Sequence, residues 1–181
     1  NTKNVVVLSG PSHAEEIILN LPTTLVASST NINLAEDVQK DFSTDTLRIY
    51  TNPDIISVEI GGAAKNIIAL ASGILEGLNY GDNSKAALMT RGIQEIAKIG
   101  VTLGGEAHTF AGLSGIGDMI VTCTSKHSRN KQAGVLLARG YNMSQIADTI
   151  GMVVEGINAC RCFYKLSLKL NVDLPINTAV Y

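Results

Sequence analysis

Three short stretches of this sequence combine residue types that proton transfer and anion binding require. Lys65 is the one basic residue in Val58-Glu-Ile-Gly-Gly-Ala-Ala-Lys-Asn-Ile-Ile-Ala-Leu-Ala-Ser-Gly73, with Asn66 beside it. A lysine set among small residues suits acid/base work. Asp118 and Thr122 are one helical turn apart and so share a face. Ser128-Arg129-Asn130 reads as the start of a helix. That position offers free N–H groups, the positive end of the helix dipole and a guanidinium, a combination that seats a phosphate. Each stretch also has a plainer reading. A lone lysine snorkels to water, Asp118 and Ser128 cap helices, and Arg129 is solvated. Together they supply a base, an orienting carboxylate and an anion clamp, which is more than capping requires.

The elements that must position these groups are mostly helical. Asn52 reads as an N-cap and Pro53 as the first residue of a long buried helix, with apolar residues at Ile60, Ala64, Ile67, Ala71, Ile74 and Leu78. Gly61 and Gly62 weaken that helix, by about 1 kcal/mol each relative to alanine, which implies a close approach to its backbone. Further helices are read over Ser84 to Leu103, closed by Gly104-Gly105, and over Asp118 to Thr124. They continue over Ser128 to Arg139, Ser144 to Ile150 with Ser144 as cap, Glu155 to Leu170, and from Pro175 onward. Before them, Val5–Leu8, Thr23–Ser28 and Leu47–Tyr50 read as strands and Asn33–Phe42 as an amphipathic helix. Ser12 reads as the cap of a short helix near Ala14. The Ser9-Gly10-Pro11-Ser12 turn at the end of the first strand is either an ordinary turn or an anion-facing one. The expected class is α+β: residues 1–52 close a dinucleotide-binding α/β domain, and residues 53–181 form a mainly α-helical domain.

Composition narrows the function classes. The chain has 181 residues, 45% hydrophobic and 17% charged, with a formal net charge of −2, as expected of a globular protein with a sizeable core. It has no basic run, so a nucleic-acid footprint is absent. No uninterrupted apolar run reaches the length of a membrane span, and the first four residues do not open a charged leader. Cys123, Cys160 and Cys162 form neither a disulfide framework nor a zinc spacing, and His13, His108 and His127 are scattered. Free thiols and a cytoplasmic location are the expectation, with no metal.

Five segments carry a closer resemblance. They are Gly10-Pro-Ser-His-Ala14, Glu59-Ile-Gly-Gly-Ala-Ala-Lys-Asn66, Gly81-Asp-Asn-Ser-Lys-Ala-Ala87, Gly112-Leu-Ser-Gly-Ile-Gly-Asp-Met-Ile-Val-Thr-Cys-Thr-Ser125 and His127-Ser-Arg-Asn130. In this order they closely resemble bacterial-type NAD(P)-dependent glycerol-3-phosphate dehydrogenases. The resemblance implies a helical domain like that of 6-phosphogluconate dehydrogenase behind the last strands of a Rossmann-type domain. It also implies reversible hydride transfer between NAD(P)H and dihydroxyacetone phosphate, with NAD or NADP as dissociable co-substrate. By motif position, Lys65 is the catalytic proton donor and acceptor. Gly10, Ser12, Lys65, Asn66, Asp118, Thr122, Ser128, Arg129 and Asn130 face the substrate. Ala14, Arg129, Val153 and Glu155 face the cofactor. A homodimer through the helical domain is a further expectation.

The sequence departs from the family pattern in one respect: no glycine-rich dinucleotide loop follows a strand here. The chain is therefore expected to be a fragment that does not bind dinucleotide well by itself. Two rival readings stay open on sequence alone. One is a related dehydrogenase of hydroxyacids or sugar acids; the other is a helical dimerisation or interaction module.

Overall fold

Thr23–Ser28 is buried on both faces and forms the middle of a small sheet, β2. On one side it pairs antiparallel with β1 (Val7–Ser9), Leu8 opposite Ala27. On the other it runs parallel to β3 (Leu47–Asn52), Leu25 opposite Ile49. A parallel neighbour requires a crossover, and α2 (Ile32–Phe42) supplies it. Ala35 of α2 packs on Leu25, Ala27 and Ile49 as the core of this layer. A short helix, α1 (Ala14–Ile18), sits between β1 and β2. The structure is a computed structural model describing residues 4–181. The reading of the first residues as no charged leader falls partly on residues 1–3, outside those described.

The rest is helical: α3 (Ile55–Gly77), α4 (Asp82–Thr102), α5 (Asp118–Thr124), α6 (Arg129–Ala138), α7 (Met143–Ile150), α8 (Glu155–Leu170) and α9 (Pro175–Val180). The class is thus mainly α with a three-stranded sheet, and no strand follows Asn52 among the described residues. By length and apolarity α3 would suffice to cross a bilayer, but most of it is buried inside the protein. It is the central helix. Ala64, Ile67 and Ile68 meet Ile96 and Ile99 of α4, Met119 of α5 and Phe163 of α8 in one core.

Several caps differ from the sequence reading. The cap of α3 is Asp54, whose Oδ1 accepts from the Ser57 N–H at 3.0 Å and whose Oδ2 accepts from Glu106 N–H at 2.9 Å. Asn52 instead ends β3 and accepts from Asp54 N–H at 2.7 Å, so the strand runs two residues further than read and Pro53 lies outside the helix. His13, not Ser12, precedes α1, because the Ser12 hydroxyl turns back to Gly10 O at 3.0 Å. Asn142, not Ser144, caps α7, in a reciprocal box with Gln145. Gly81 precedes α4, which starts two residues earlier than read.

The contact between α3 and α6 sets the geometry of the rest. A Cβ on Gly73 would stand 2.0 Å from Lys131 O, and one on Gly134 would stand 2.0 Å from Leu70 O. The backbones touch at this crossing, so only glycine fits on either side.

Candidate active site

Lys65 and Asp118 are 53 positions apart in sequence, yet Lys65 Nζ lies 2.5 Å from Asp118 Oδ2. Two local features bring them together. Leu113–Gly117 winds as a π-helical turn leading directly into α5, and π turns recur at functional sites. Gly61 of α3 lets that turn come close: a Cβ there would stand 2.7 Å from Ser114 O. This is the backbone approach that the Gly61-Gly62 pair implied. Asp118 therefore does not cap a helix. It lies in the first turn of α5 with its carboxylate aimed at α3.

The Asp118 side chain is 4% exposed and that of Lys65 is 19% exposed. Thr122 Oγ1 donates to Asp118 O at 2.6 Å and reaches Oδ1 at 3.3 Å. Burial pushes the Asp118 carboxyl above its ordinary value, against the opposing pull of Lys65, Thr122 and the Gly10 N–H. The pair is thus an ammonium held at a cleft wall by a buried carboxylate. Behind it, Cys123 takes no part: burial raises its thiol to about 12.

Asn66, one residue on, is fully engaged within the protein. Its Nδ2 donates to Glu155 Oε2 at 3.1 Å and to Gly62 O at 3.4 Å. Its Oδ1 accepts from Asn130 Nδ2 at 2.8 Å, and Asn130 Oδ1 accepts from Gly156 N–H at 2.8 Å. This chain of hydrogen bonds locks α3, α6 and α8 together at the cleft floor. Ser128 caps α6 as read, accepting from Lys131 N–H at 3.3 Å. Arg129 is half-buried at the helix start, one of its N–H groups donating to Val153 O at 3.3 Å.

One cleft of about 450 Å³ gathers these groups, within the size range of small-molecule sites. Lys65, Asn66, Asp118 and Thr122 line it, as do Ser128, Arg129 and Asn130. Gly10, Ser12 and Ala14 border it from the amino-terminal segment, and Glu155 from α8. Val153 is not on this wall. It is 66% exposed and lines a separate groove between α7 and α8, its carbonyl accepting from Arg129 on the cleft side. The sequence reading left out His13, Glu15, Val121, His127 and Met152, which also line the cleft. Both histidines lie inside resembling segments, Gly10–Ala14 and His127–Asn130. That placement was the available signal, and reading the histidines only for metal spacing passed over it.

Chemically, the cleft can hold an anion at one end and move a proton at the other. Arg129 and the first N–H groups of α6 form the anion end, and Lys65 with Asp118 forms the proton end. The residues also fit one edge of a dinucleotide. Ala14 and Glu155 are exposed at the rim beside the Arg129 guanidinium, offering a flat approach, an acceptor and a donor.

Comparison with known proteins shows what the chain as a whole is similar to. Residues 54–181 match the family described as NAD-dependent glycerol-3-phosphate dehydrogenase C-terminus, and residues 1–35 match the corresponding N-terminus family. Glycerol-3-phosphate dehydrogenase [NAD(P)+] of Clostridium acetobutylicum is 61% identical over 177 residues, covering 98% of this chain and 53% of that protein. The protein of the same description from Bacillus velezensis is 58% identical over 179 residues, covering 99% and 52%. The crystal structure of glycerol-3-phosphate dehydrogenase from Coxiella burnetii superposes with a TM-score of 0.94 at 37% identity, over 97% of this chain and 54% of that one. The chain thus spans about half the length of the curated relatives it matches.

Proposed function

Because this chain belongs to the NAD-dependent glycerol-3-phosphate dehydrogenase family, we propose that its cleft serves reversible hydride transfer between NAD(P)H and dihydroxyacetone phosphate, giving sn-glycerol 3-phosphate. The observation that carries this reading is the convergence of the Lys65–Asp118 pair and the Arg129 end of α6 on one cleft. In this reading residues 1–52 belong to the cofactor domain and residues 53–181 form the substrate domain.

The phosphate lies at the amino-terminal end of α6, held by the Arg129 guanidinium and by Ser128. It is remote from the reacting carbon, so its binding energy positions the carbonyl. The carbonyl oxygen then lies against Lys65. Bound NAD(P)H supplies the hydride. As negative charge builds on the oxygen, the Lys65 ammonium stabilises it and delivers the proton. Asp118 holds Lys65 in place at 2.5 Å, and Thr122 and the Gly10 N–H orient Asp118. Lys65 is open enough at the cleft wall to recover its proton from solvent. Asn66 and Asn130 act through the hydrogen-bond chain that fixes the floor. Ala14, Arg129 and Glu155 are the rim residues that would hold the cofactor, with Val153 contributing through the backbone bond to Arg129.

Free Cys123, Cys160 and Cys162 suit a reducing cytoplasm. Exposed apolar side chains on the helical part, Leu168 and Val101 among them, suit a homodimer.

Thermal shift of this chain with glycerol 3-phosphate, glycerol and a hydroxyacid tests the substrate class. Stabilisation by glycerol 3-phosphate alone is expected. Equal or greater stabilisation by the hydroxyacid would overturn the phosphate reading.

A further inference from the structure

Two histidines stand on the cleft wall with no part in the chemistry above. His13 immediately precedes α1, and His127 immediately precedes the Ser128 cap of α6. Far apart in sequence, their rings come to 6.1 Å between centroids, tilted by 57°. Nε2 of His13 is buried and has no hydrogen-bond partner. An unsatisfied buried ring nitrogen is destabilising, and a small rotation of the ring toward the cleft that His13 lines would open that nitrogen to a ligand atom.

Most other polar side chains near this end are already committed. The Ser12 hydroxyl donates to Gly10 O, and both ends of the Asn130 amide are used, while Ser128 Oγ accepts from Lys131 N–H and keeps its own O–H to donate. The donors left to face a ligand are the Lys65 ammonium at the proton end and, at the anion end, the Ser128 hydroxyl, the Arg129 guanidinium, the first N–H groups of α6 and the two imidazoles. The charge count points the same way. The ionisable groups facing the histidines are Glu15 on α1, Lys65 on α3, Asp118 on α5, Arg129 on α6 and Glu155 on α8. Three carboxylates against two cations leave the cleft net negative, the wrong sign for a phosphate dianion. Protonating both imidazoles reverses that sign.

We propose that His13, backed by His127, is the second jaw of the phosphate clamp: its imidazole turns on ligand binding and donates a hydrogen bond to a phosphate oxygen from the amino-terminal segment, while Arg129 grips from α6. This rests on the reading of the cleft as a phosphate-substrate site. It makes His13 a specificity-determining residue, selecting a phosphate ester over a neutral polyol or a carboxylate. Histidine is the side chain whose charge changes nearest neutral pH, so affinity becomes pH-dependent through the clamp.

The test uses this chain, with imidazole NMR titrations in the presence of glycerol 3-phosphate or glycerol. Glycerol 3-phosphate is expected to move the His13 and His127 titrations to higher pH, and glycerol to leave them in place. In parallel, His13→Leu should weaken glycerol 3-phosphate binding by about tenfold or more at mildly acidic pH, the loss of one charge-assisted hydrogen bond. His13→Gln should retain part of the affinity and show a weaker pH dependence, the share left by His127. Dividing wild-type by variant affinity at each pH cancels the titration of the phosphate itself. If glycerol 3-phosphate binds and perturbs Arg129 while both histidine titrations stay put, the clamp role is overturned and the phosphate-substrate reading survives. If the wild-type chain binds no glycerol 3-phosphate at any pH, both fall. The wild-type titration decides the matter even if His13→Leu fails to fold.

Discussion

Gly134→Ala tests whether the α3–α6 crossing holds the cleft in register. A Cβ at Gly134 would stand 2.0 Å from Leu70 O, whereas real Cβ atoms essentially never come within 3.0 Å of such a neighbour. The neighbour is backbone, so no rotamer change relieves the clash, and the helices must part locally by roughly 1 Å in an interior packed to crystal density. Asn130 lies one turn before Gly134 and Asn66 one turn before Leu70. The 2.8 Å bond between Asn130 Nδ2 and Asn66 Oδ1 would then stretch beyond hydrogen-bonding range. Overpacking of this kind costs about 1–3 kcal/mol, and backbone contact puts it at the upper end. Replacing a helical glycine gains back about 1 kcal/mol. The net loss of about 2 kcal/mol corresponds to about 4–8 °C in Tm at this size. Arg129 and Lys65 ride on the two parted helices, so kcat/KM of the intact enzyme should fall about 100-fold, as for a misplacement of about 1 Å. Differential scanning calorimetry and steady-state kinetics give both numbers. A Tm unchanged within about 1 °C together with kcat/KM within about twofold of wild type would refute the reasoning.

Lys65→Ala in the intact enzyme should lower kcat by about 10²–10⁴-fold with an unchanged circular dichroism spectrum, and near-normal turnover would remove the acid/base assignment. Arg129→Lys keeps the charge but loses the guanidinium fork, so kcat/KM should drop by roughly 10- to 150-fold; unchanged kinetics with either substrate varied would take Arg129 out of the site. Asp118→Asn separates stability from chemistry. Burial raises the wild-type carboxyl in the folded state, so the fold binds a proton there that the unfolded chain has released. Its stabilising contribution is complete below the unfolded carboxyl value and is lost as pH rises through the higher folded one. Urea melts across that range should show a stability decline in wild type that is absent in Asp118→Asn, while the variant's kcat falls; identical pH slopes would count against the burial argument.

The limits of sequence reading show in particular residues. Helical period placed Lys65 and Asn66 on one long helix, Asp118 and Thr122 on a second, and Ser128 at the cap of a third, because spacing along a helix is a local property. Capping was less legible. The Asp54 carboxylate also takes the Glu106 N–H, 52 positions away, and that distant donor favours it over Asn52. Likewise Ser12 could have capped α1, but its hydroxyl found Gly10 O first.

The amino-acid sequence alone determined the class of the chain, the helical face that carries each candidate group, and the family whose segments it shares. Those follow from apolar periodicity, glycine placement and residue type, which the chain carries wherever it folds. Only the tertiary structure decided that Lys65 meets Asp118, that Asn66 turns into the Asn130 and Glu155 network, that Val153 faces another groove, and that His13 lies against His127. Each of these depends on two segments far apart in sequence meeting at a set distance. That distance is fixed by backbone contacts such as Gly73 and Gly134 across the α3–α6 crossing and Gly61 under the π turn, where the absence of a side chain on one segment matters only once the other has packed against it.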